Sequence, residues 1–126
     1  MLQFDRRVLF VGFGAVARCT LPILVKHVRI PPGNITSMDF ERNEAALKPW
    51  LEQGVKFIQD RITPANLGSF LEGQLSAGDL LIDLAWNIDC CEIVQWCHDR
   101  GVLYLNTSVE LWDPYDVPED HHPTKR

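Results

Sequence analysis

Apolar and polar residues alternate in blocks along most of this chain, and each short apolar run is followed by a longer amphipathic segment. Five runs have the length and the β-branched content of buried strands, whereas the segments between them repeat apolar residues at helical spacing. This alternation predicts an α/β fold, a Rossmann-type doubly wound parallel sheet of about five strands with helices on both faces. The predicted strands are residues 8–11, 35–40, 55–58, 79–85 and 102–106, and the predicted helices are residues 15–28, 44–53, 63–75 and 88–100.

Two details of the helices follow from local signals. Thr63 is expected to cap the third helix, with Pro64 at its first helical position, where the missing N–H of proline costs no hydrogen bond. On the fourth helix, apolar residues recur at positions i, i+3, i+4 and i+7, a spacing typical of a buried stripe. These residues are Cys90, Ile93, Val94 and Cys97.

The block pattern ends at Glu110, and proline and acidic residues dominate the segment that follows. We therefore expect residues 1–110 to form one Rossmann domain and residues 111–126 to form a tail or a linker toward a second domain.

Composition narrows the class of protein. The chain has 126 residues, of which 46% are hydrophobic and 23% charged, as expected for one globular domain. Its net charge of −5 argues against a nucleic-acid partner. Apolar runs of bilayer length and a signal-peptide pattern are both missing from the sequence, which favours a cytoplasmic protein without membrane contact.

Cysteine and histidine spacing gives little support for a metal site. Cys90 and Cys91 are adjacent and have no second pair at zinc-finger spacing, so we expect reduced thiols and neither zinc nor disulfides. The four histidines are also poorly spaced for a shared ion, and we expect no metal.

The first predicted strand runs directly into a G-x-G-x-x-A turn that opens a helix, the fingerprint of a dinucleotide site. Gly12 would form the tight turn and Gly14 would let the backbone approach a pyrophosphate. The small Ala17 would let the helix pack on the strand. Ala15 and Val16 lie at the helix N-terminus, where unpaired N–H groups favour an anion. A purely structural strand-to-helix turn is the alternative.

Asp39 ends the second predicted strand, at the distance downstream where such folds place the acid that binds the adenosine ribose. Because a carboxylate there repels a 2′-phosphate, the sequence favours NAD over NADP. A solvated acid at the strand end is the alternative interpretation.

Other candidate contacts follow the fourth and fifth strands, whose carboxyl ends border the same crevice. Ala85, Trp86 and Asn87 are expected near the middle and nicotinamide half of the cofactor, although Asn87 also suits an N-cap. On the nicotinamide side, the candidates are Thr107, Ser108 and Glu110, the last being a carboxylate for an ammonium group or merely a loop acid.

Three segments resemble the N-terminal part of bacterial homospermidine synthases, a family similar in fold to saccharopine dehydrogenases. The segments are residues 11–22, residues 82–91 and residues 105–112, and the block from Trp86 to Cys91 is the most distinctive.

The resemblance implies a tightly held NAD that removes a hydride from putrescine and, after condensation with a second putrescine, returns it to give homospermidine. It also implies that Glu110 lines the diamine pocket and is the catalytic candidate, and that the full-length protein is a homodimer.

Members of that family continue for several hundred residues into a second domain, so we expect the 126-residue chain alone to bind its cofactor without turnover. Two alternatives stay open. One is another saccharopine-type dehydrogenase, and the other is a stand-alone dinucleotide-binding module without catalysis.

Overall fold

A computed structural model describes residues 2–42, 44–85, 88–107 and 112. Strands and helices alternate along this part of the chain, as the apolar pattern predicts. The elements are β1 (Leu2–Gln3), β2 (Val8–Val11), α1 (Ala15–His27), β3 (Val28–Arg29), a 3₁₀ turn (Pro32–Asn34), β4 (Ile35–Asp39), α2 (Glu44–Leu51), β5 (Lys56–Gln59), α3 (Leu67–Gln74), β6 (Leu80–Asp83), α4 (Cys90–Arg100) and β7 (Leu103–Asn106).

Five of these strands form one parallel sheet in the order β5-β4-β2-β6-β7. The chain first moves outward from β2 through β4 to β5, then crosses back to place β6 on the other side of β2. In open parallel sheets, such a reversal of strand order opens a crevice beyond the carboxyl ends of the strands. The predicted Rossmann-type fold is confirmed.

Alternate residues of each strand supply two cores on opposite faces of the sheet. Leu9 and Val11 of β2 pack with residues of α3 and α4, whereas Val8 and Phe10 pack with residues of α1 and α2. All four residues of β2 are buried, as expected for a central parallel strand covered on both faces. The predicted helices on both faces are therefore present.

The start of the third helix differs from the prediction. Helix α3 begins at Leu67, not at Thr63, because residues 63–66 close a turn of their own. The backbone N–H of Thr63 donates to Oδ1 of Asn66 at 2.7 Å, and the N–H of Asn66 donates to the Thr63 carbonyl at 3.2 Å. Thr63 and Pro64 thus initiate a turn that precedes the helix.

The buried stripe of α4 is also rotated relative to the prediction. Cys90, Ile93 and Cys97 are buried as expected, but Val94 is 41% exposed and Trp96 is buried in its place. The indole of Trp96 joins the core, and the guanidinium of Arg100 lies 4.6 Å from its ring centroid. A wide aromatic ring covers more apolar area than valine, which explains the rotation.

A pairing that the apolar pattern does not predict joins the start of the chain to the end of α1. Strands β1 and β3 have two residues each and pair in parallel, with Leu2 opposite Val28. No helix in the described part of the chain is long and apolar enough to cross a membrane.

Asp79 organises the amino ends of the sheet, opposite the crevice. Its buried carboxylate accepts hydrogen bonds from the backbone N–H and Nε of Arg7, at 2.9 and 3.1 Å. It also accepts from the backbone N–H of Ser76 at 2.7 Å. These bonds tie the segment before β2 to the turn before β6, and thereby help to fix the central pair of strands.

Candidate functional site

A crevice of about 420 Å³ lies beyond the carboxyl ends of β2, β4 and β6, at the reversal of strand order. Cofactor sites of doubly wound folds occupy this position. The glycine turn, the end of β4 and the end of β6 all contribute to its wall. The lining residues are Gly12, Phe13, Gly14, Met38, Asp39, Phe40, Glu41, Asp60, Arg61, Ile62, Leu84, Ala85 and Ile88.

Gly12 forms the tight turn at the end of β2. Its φ of +87° lies in the region that only glycine adopts readily, and a Cβ placed there would lie 2.9 Å from the Cα of Ala85. The N–H of Gly12 also donates to the carbonyl of Met38 at 2.8 Å. Gly12 is therefore required by the fold itself, because it lets β2 approach the end of β6.

Gly14, unlike Gly12, has open space where a side chain would stand. It has an ordinary φ of −88°, and a Cβ added there would meet no described atom within 4 Å. The packing of the described residues therefore gives no reason for glycine at this position. The open space lies on the crevice, as expected for a backbone that a ligand must approach closely.

The N-terminus of α1 borders the same crevice at Gly14, whereas Ala15, Val16 and Ala17 are not among the lining residues. Among the described residues no side chain caps this helix at Gly14, and its first turn contains no acid. Ala15 and Val16 are exposed, whereas Ala17 is fully buried against the sheet. An uncapped helix N-terminus carries a partial positive charge and unpaired donors, a combination that suits phosphate.

Helix α4 begins differently, with a capped N-terminus. The carboxylate of Asp89 accepts from the backbone N–H groups of Cys91 and Glu92, at 2.8 and 3.3 Å. Asp89 is therefore the N-cap of this helix, and the alternative prediction that placed Asn87 in this role is wrong.

Asp39 lies at the end of β4, on the rim of the crevice. Its Oδ2 accepts from the backbone N–H of Phe13 at 2.7 Å, and its Oδ1 accepts from the N–H of Glu41 at 3.1 Å. A carboxylate can accept several hydrogen bonds at the same time. The carboxylate is thus held in place by the turn that it borders.

A partly buried polar network that sequence reasoning missed lies at the ends of β6 and β7. The hydroxyl of Tyr104 donates to Oδ2 of Asp83 at 2.7 Å and accepts from Nδ2 of Asn106 at 3.0 Å. Oδ1 of Asp83 accepts from the N–H of Ala85 at 3.2 Å. An acid that ends an otherwise apolar strand was the available sequence signal.

Burial and the hydrogen bond to Asp83 raise the pKa of Tyr104 well above that of a free phenol. Burial also raises the pKa of the Cys97 thiol to about 11, with a further contribution from the charge of Asp83. Both groups therefore stay protonated near neutral pH, and the phenol remains available as the donor to Asp83.

The other predicted site residues divide into two groups. Ala85 is half-buried and lines the crevice, and Thr107 is exposed just after β7. Trp86, Asn87, Ser108 and Glu110 lie outside the described residues, and their roles stay predictions.

The cysteines are free thiols, two of them buried (Cys90 and Cys97) and two exposed (Cys19 and Cys91). The potential ligand atoms of Asp89, Cys90 and Cys91 lie within 4.8 Å of one another. The Asp89 carboxylate in that group already caps α4. The neighbouring Cys90 and, to a smaller extent, the negative charge of Asp89 raise the pKa of the Cys91 thiol, which opposes the thiolate form that metals bind.

Sequence comparisons identify a matching protein family and two similar proteins. The family described as saccharopine dehydrogenase NADP binding domain matches residues 8–125. The chain is 29% identical over 108 residues to a homospermidine synthase of Mesorhizobium japonicum and 28% identical over 127 residues to one of Blastochloris viridis. These matches cover 83% and 98% of this chain but only 22% and 26% of the relatives.

The crystal structure of a homospermidine synthase from Legionella pneumophila in complex with NAD has the same fold, with a TM-score of 0.83 at 27% identity. The match covers 89% of this chain and 24% of that chain. The resemblance inferred from the sequence motifs is thereby confirmed, and the chain spans about a quarter of the length of these relatives.

Proposed function

Because this chain belongs to the saccharopine dehydrogenase NADP binding domain family, we propose that it is the NAD-binding part of a homospermidine synthase. The observation that carries the proposal is the open space at Gly14 beside the uncapped N-terminus of α1. Glycine at this position has no packing explanation among the described residues, whereas a bound pyrophosphate supplies one.

Three features of the crevice support a dinucleotide as its ligand. The N-terminus of α1 offers backbone donors for the pyrophosphate, and Gly12 holds that turn close to Ala85. Asp39 borders the crevice with its carboxylate fixed by Phe13. The crevice volume of about 420 Å³ is within the usual range for small-molecule sites.

We propose NAD as the dinucleotide, although the family description mentions NADP. A carboxylate at the end of β4 accepts hydrogen bonds from ribose hydroxyls but repels a 2′-phosphate. Asp39 occupies this position, and its carboxylate also accepts hydrogen bonds from the backbone N–H groups of Phe13 and Glu41. The Legionella pneumophila relative was crystallised with NAD.

The proposed reaction joins two putrescine molecules to give homospermidine and ammonia. The bound NAD would accept a hydride from the first putrescine, the second would displace ammonia from the resulting imine, and the hydride would return to the Schiff base. In this proposal, Glu110 holds an ammonium group of the diamine, because a carboxylate pairs strongly with a cation when water is excluded. Ala85, Trp86, Asn87, Thr107 and Ser108 are proposed to border the nicotinamide half.

The rest of the polypeptide in such enzymes is proposed to complete the diamine pocket. Residues 1–110 would form the cofactor domain and residues 111–126 a linker to that remainder. A homodimer in the cytoplasm is part of the same proposal.

Calorimetric titration of the purified chain tests cofactor binding. We expect NAD to bind more tightly than NADP and to raise the temperature of thermal unfolding. We also expect no turnover of putrescine by the 126-residue chain. Failure to bind either dinucleotide would contradict the proposal.

A test of the proposed reaction needs a longer protein, in which this chain is joined to the remaining three quarters of the Legionella pneumophila enzyme. Putrescine turnover is then measured with and without Glu110→Gln. Loss of a charge-assisted contact worth about 1.5–3 kcal/mol predicts a decrease of about tenfold or more, with unchanged NAD content. Full turnover by the variant would make Glu110 a loop acid. If the joined protein with Glu110 intact binds NAD but does not turn over putrescine, a stand-alone dinucleotide-binding module is favoured.

A further inference from the structure

The polar network of Asp83, Tyr104 and Asn106 lies at the carboxyl ends of neighbouring strands. Asp83 of β6 is opposite Val11 of β2 on one side and opposite Asn106 of β7 on the other. The network therefore spans the half of the sheet on the far side of β2 from Asp39, whose strand β4 pairs with the other edge of β2.

Asp83 is connected to the crevice by a hydrogen bond with the backbone of Ala85, a lining residue. Its Oδ1 accepts from the N–H of Ala85, and the N–H of Leu84 between them donates to the carbonyl of Val11 at 2.9 Å. The Cα of Ala85 is the atom that a Cβ on Gly12 would approach to 2.9 Å. A continuous series of contacts thus leads from Asn106 through Tyr104 and Asp83 to the glycine turn.

A buried carboxylate at this place has a cost that an apolar side chain would avoid. Asp83 is 5% exposed, and burying its charge is unfavourable unless donors compensate it. Tyr104 and Ala85 provide two such donors. These two hydrogen bonds orient the carboxylate so that it holds the backbone of Ala85. An apolar side chain cannot exert this constraint.

We propose that Asp83 and Tyr104 are positioning residues that hold the backbone of Ala85 at the end of β6 and thereby orient the nicotinamide half of the bound dinucleotide. Neither residue contacts the cofactor in this proposal. The inference rests on the proposed function of the crevice and adds a determinant that lies outside it.

The adenosine half of the ligand provides the discriminating measurement. ADP-ribose shares the pyrophosphate and adenosine of NAD but has no nicotinamide, so it leaves the β6 and β7 side of the crevice less occupied. We expect Tyr104→Phe to weaken NAD binding about tenfold and ADP-ribose binding less than twofold. A general loss of structure would weaken both ligands alike.

Three variants make the test specific. Ser37→Ala is the matched control, because Ser37 is a buried hydroxyl of the same sheet that has no hydrogen-bond partner among the described residues. We expect this control to leave both affinities unchanged. Asp83→Asn keeps an acceptor for Ala85 and an N–H toward Tyr104, so we expect NAD affinity within threefold of the unaltered chain. Asp83→Ala should weaken NAD binding at least tenfold.

A measurement without ligand tests directly whether Asp83 and Tyr104 restrain the backbone of Ala85. In NMR spectra of the free chain, Tyr104→Phe should shift the amide resonance of Ala85 and accelerate hydrogen exchange at this amide. Ser37→Ala should leave the amide of Ala85 unchanged.

The outcomes separate the inference from the function on which it rests. If the unaltered chain binds NAD but Tyr104→Phe weakens NAD and ADP-ribose equally, or neither, the positioning role is overturned. An unchanged amide signal of Ala85 in that variant overturns it as well. If the unaltered chain binds neither ligand, the proposed function fails and the inference fails with it.

Discussion

The backbone N–H of Phe13 donates a hydrogen bond of 2.7 Å to Oδ2 of Asp39, which joins the glycine turn after β2 to the end of β4. Phe13 itself is buried, with its ring edge-to-face against Phe10 at a centroid distance of 6.2 Å. The acid proposed to bind the ribose thus also supports the turn proposed to bind the pyrophosphate. Substitutions of Asp39 must therefore be chosen to separate these two effects.

Asp39→Asn and Asp39→Ala separate the effect on ribose binding from the effect on the glycine turn. Asparagine keeps an acceptor for the N–H of Phe13 but removes the charge, whereas alanine removes both. We expect both variants to bind NAD more weakly and to discriminate less against NADP, and only the alanine variant to unfold at a clearly lower temperature. Calorimetry with both dinucleotides and thermal unfolding without ligand are the measurements. Equal affinity of the unaltered chain for NAD and NADP would contradict the role given to Asp39.

Substitutions of Gly14 and Gly12 are expected to have different effects, the first on NAD binding and the second on stability. Gly14→Val places a side chain in open space at an ordinary φ, so we expect a folded chain that no longer binds NAD. Gly12→Ala forces a Cβ to 2.9 Å from Ala85 at a φ of +87°, so we expect a loss of at least about 1–3 kcal/mol of stability. Circular dichroism and NAD-dependent stabilisation check both variants. Retained stabilisation by NAD in Gly14→Val would remove the phosphate-binding role of this turn.

The sequence predicted most of the features that depend on local patterns. The five strands of the sheet and the glycine turn are encoded in runs of fewer than ten residues, and all of them are present. The start of α3 was predicted too early, because residues 64–66 form a turn, bounded by reciprocal hydrogen bonds between Thr63 and Asn66, before the regular helix begins at Leu67.

Features that depend on distant residues were not predictable in this way. The hydrogen bond between Tyr104 and Asp83 joins residues 21 positions apart on different strands, and the pairing of β1 with β3 joins two segments too short to show a period. The bond between Phe13 and Asp39 spans 26 positions. Such contacts follow from the order of strands in the sheet, which the apolar pattern alone does not specify.

The network around Asp79 predicts a strong effect on stability at a site remote from the crevice. Asp79→Ala leaves the backbone N–H groups of Arg7 and Ser76 without their acceptor, so we expect a loss of about 2–3 kcal/mol. Glu72→Gln is the matched control, because the ion pair between Glu72 and Arg100 at 3.0 Å is solvent-exposed and worth less than about 1 kcal/mol. Urea unfolding measures both variants. Equal losses in the two variants would show that the bonds of Asp79 contribute little.

The raised pKa of Cys97 predicts a loss of stability at alkaline pH. Burial raises this pKa from 9.0 in a free thiol to about 11, so the native chain keeps a proton that the unfolded chain releases. Between these values the unfolded state binds fewer protons, and the free energy of unfolding therefore falls as pH rises, by up to about 1.4 kcal/mol per pH unit from this group. Below pH 9 the contribution is fully present, because the thiol is protonated in both states.

Urea unfolding of the unaltered chain, Cys97→Ala and Ile93→Val between pH 8 and pH 11 checks this prediction. We expect Cys97→Ala to lower the stability through lost packing but to reduce the decline with pH, because the group that titrates has been removed. Ile93 is a fully buried neighbour on α4, and its truncation removes packing without a titratable group. Ile93→Val should therefore lower the stability by a similar amount at every pH. A decline with pH that is the same in Cys97→Ala as in the unaltered chain would assign it to other groups.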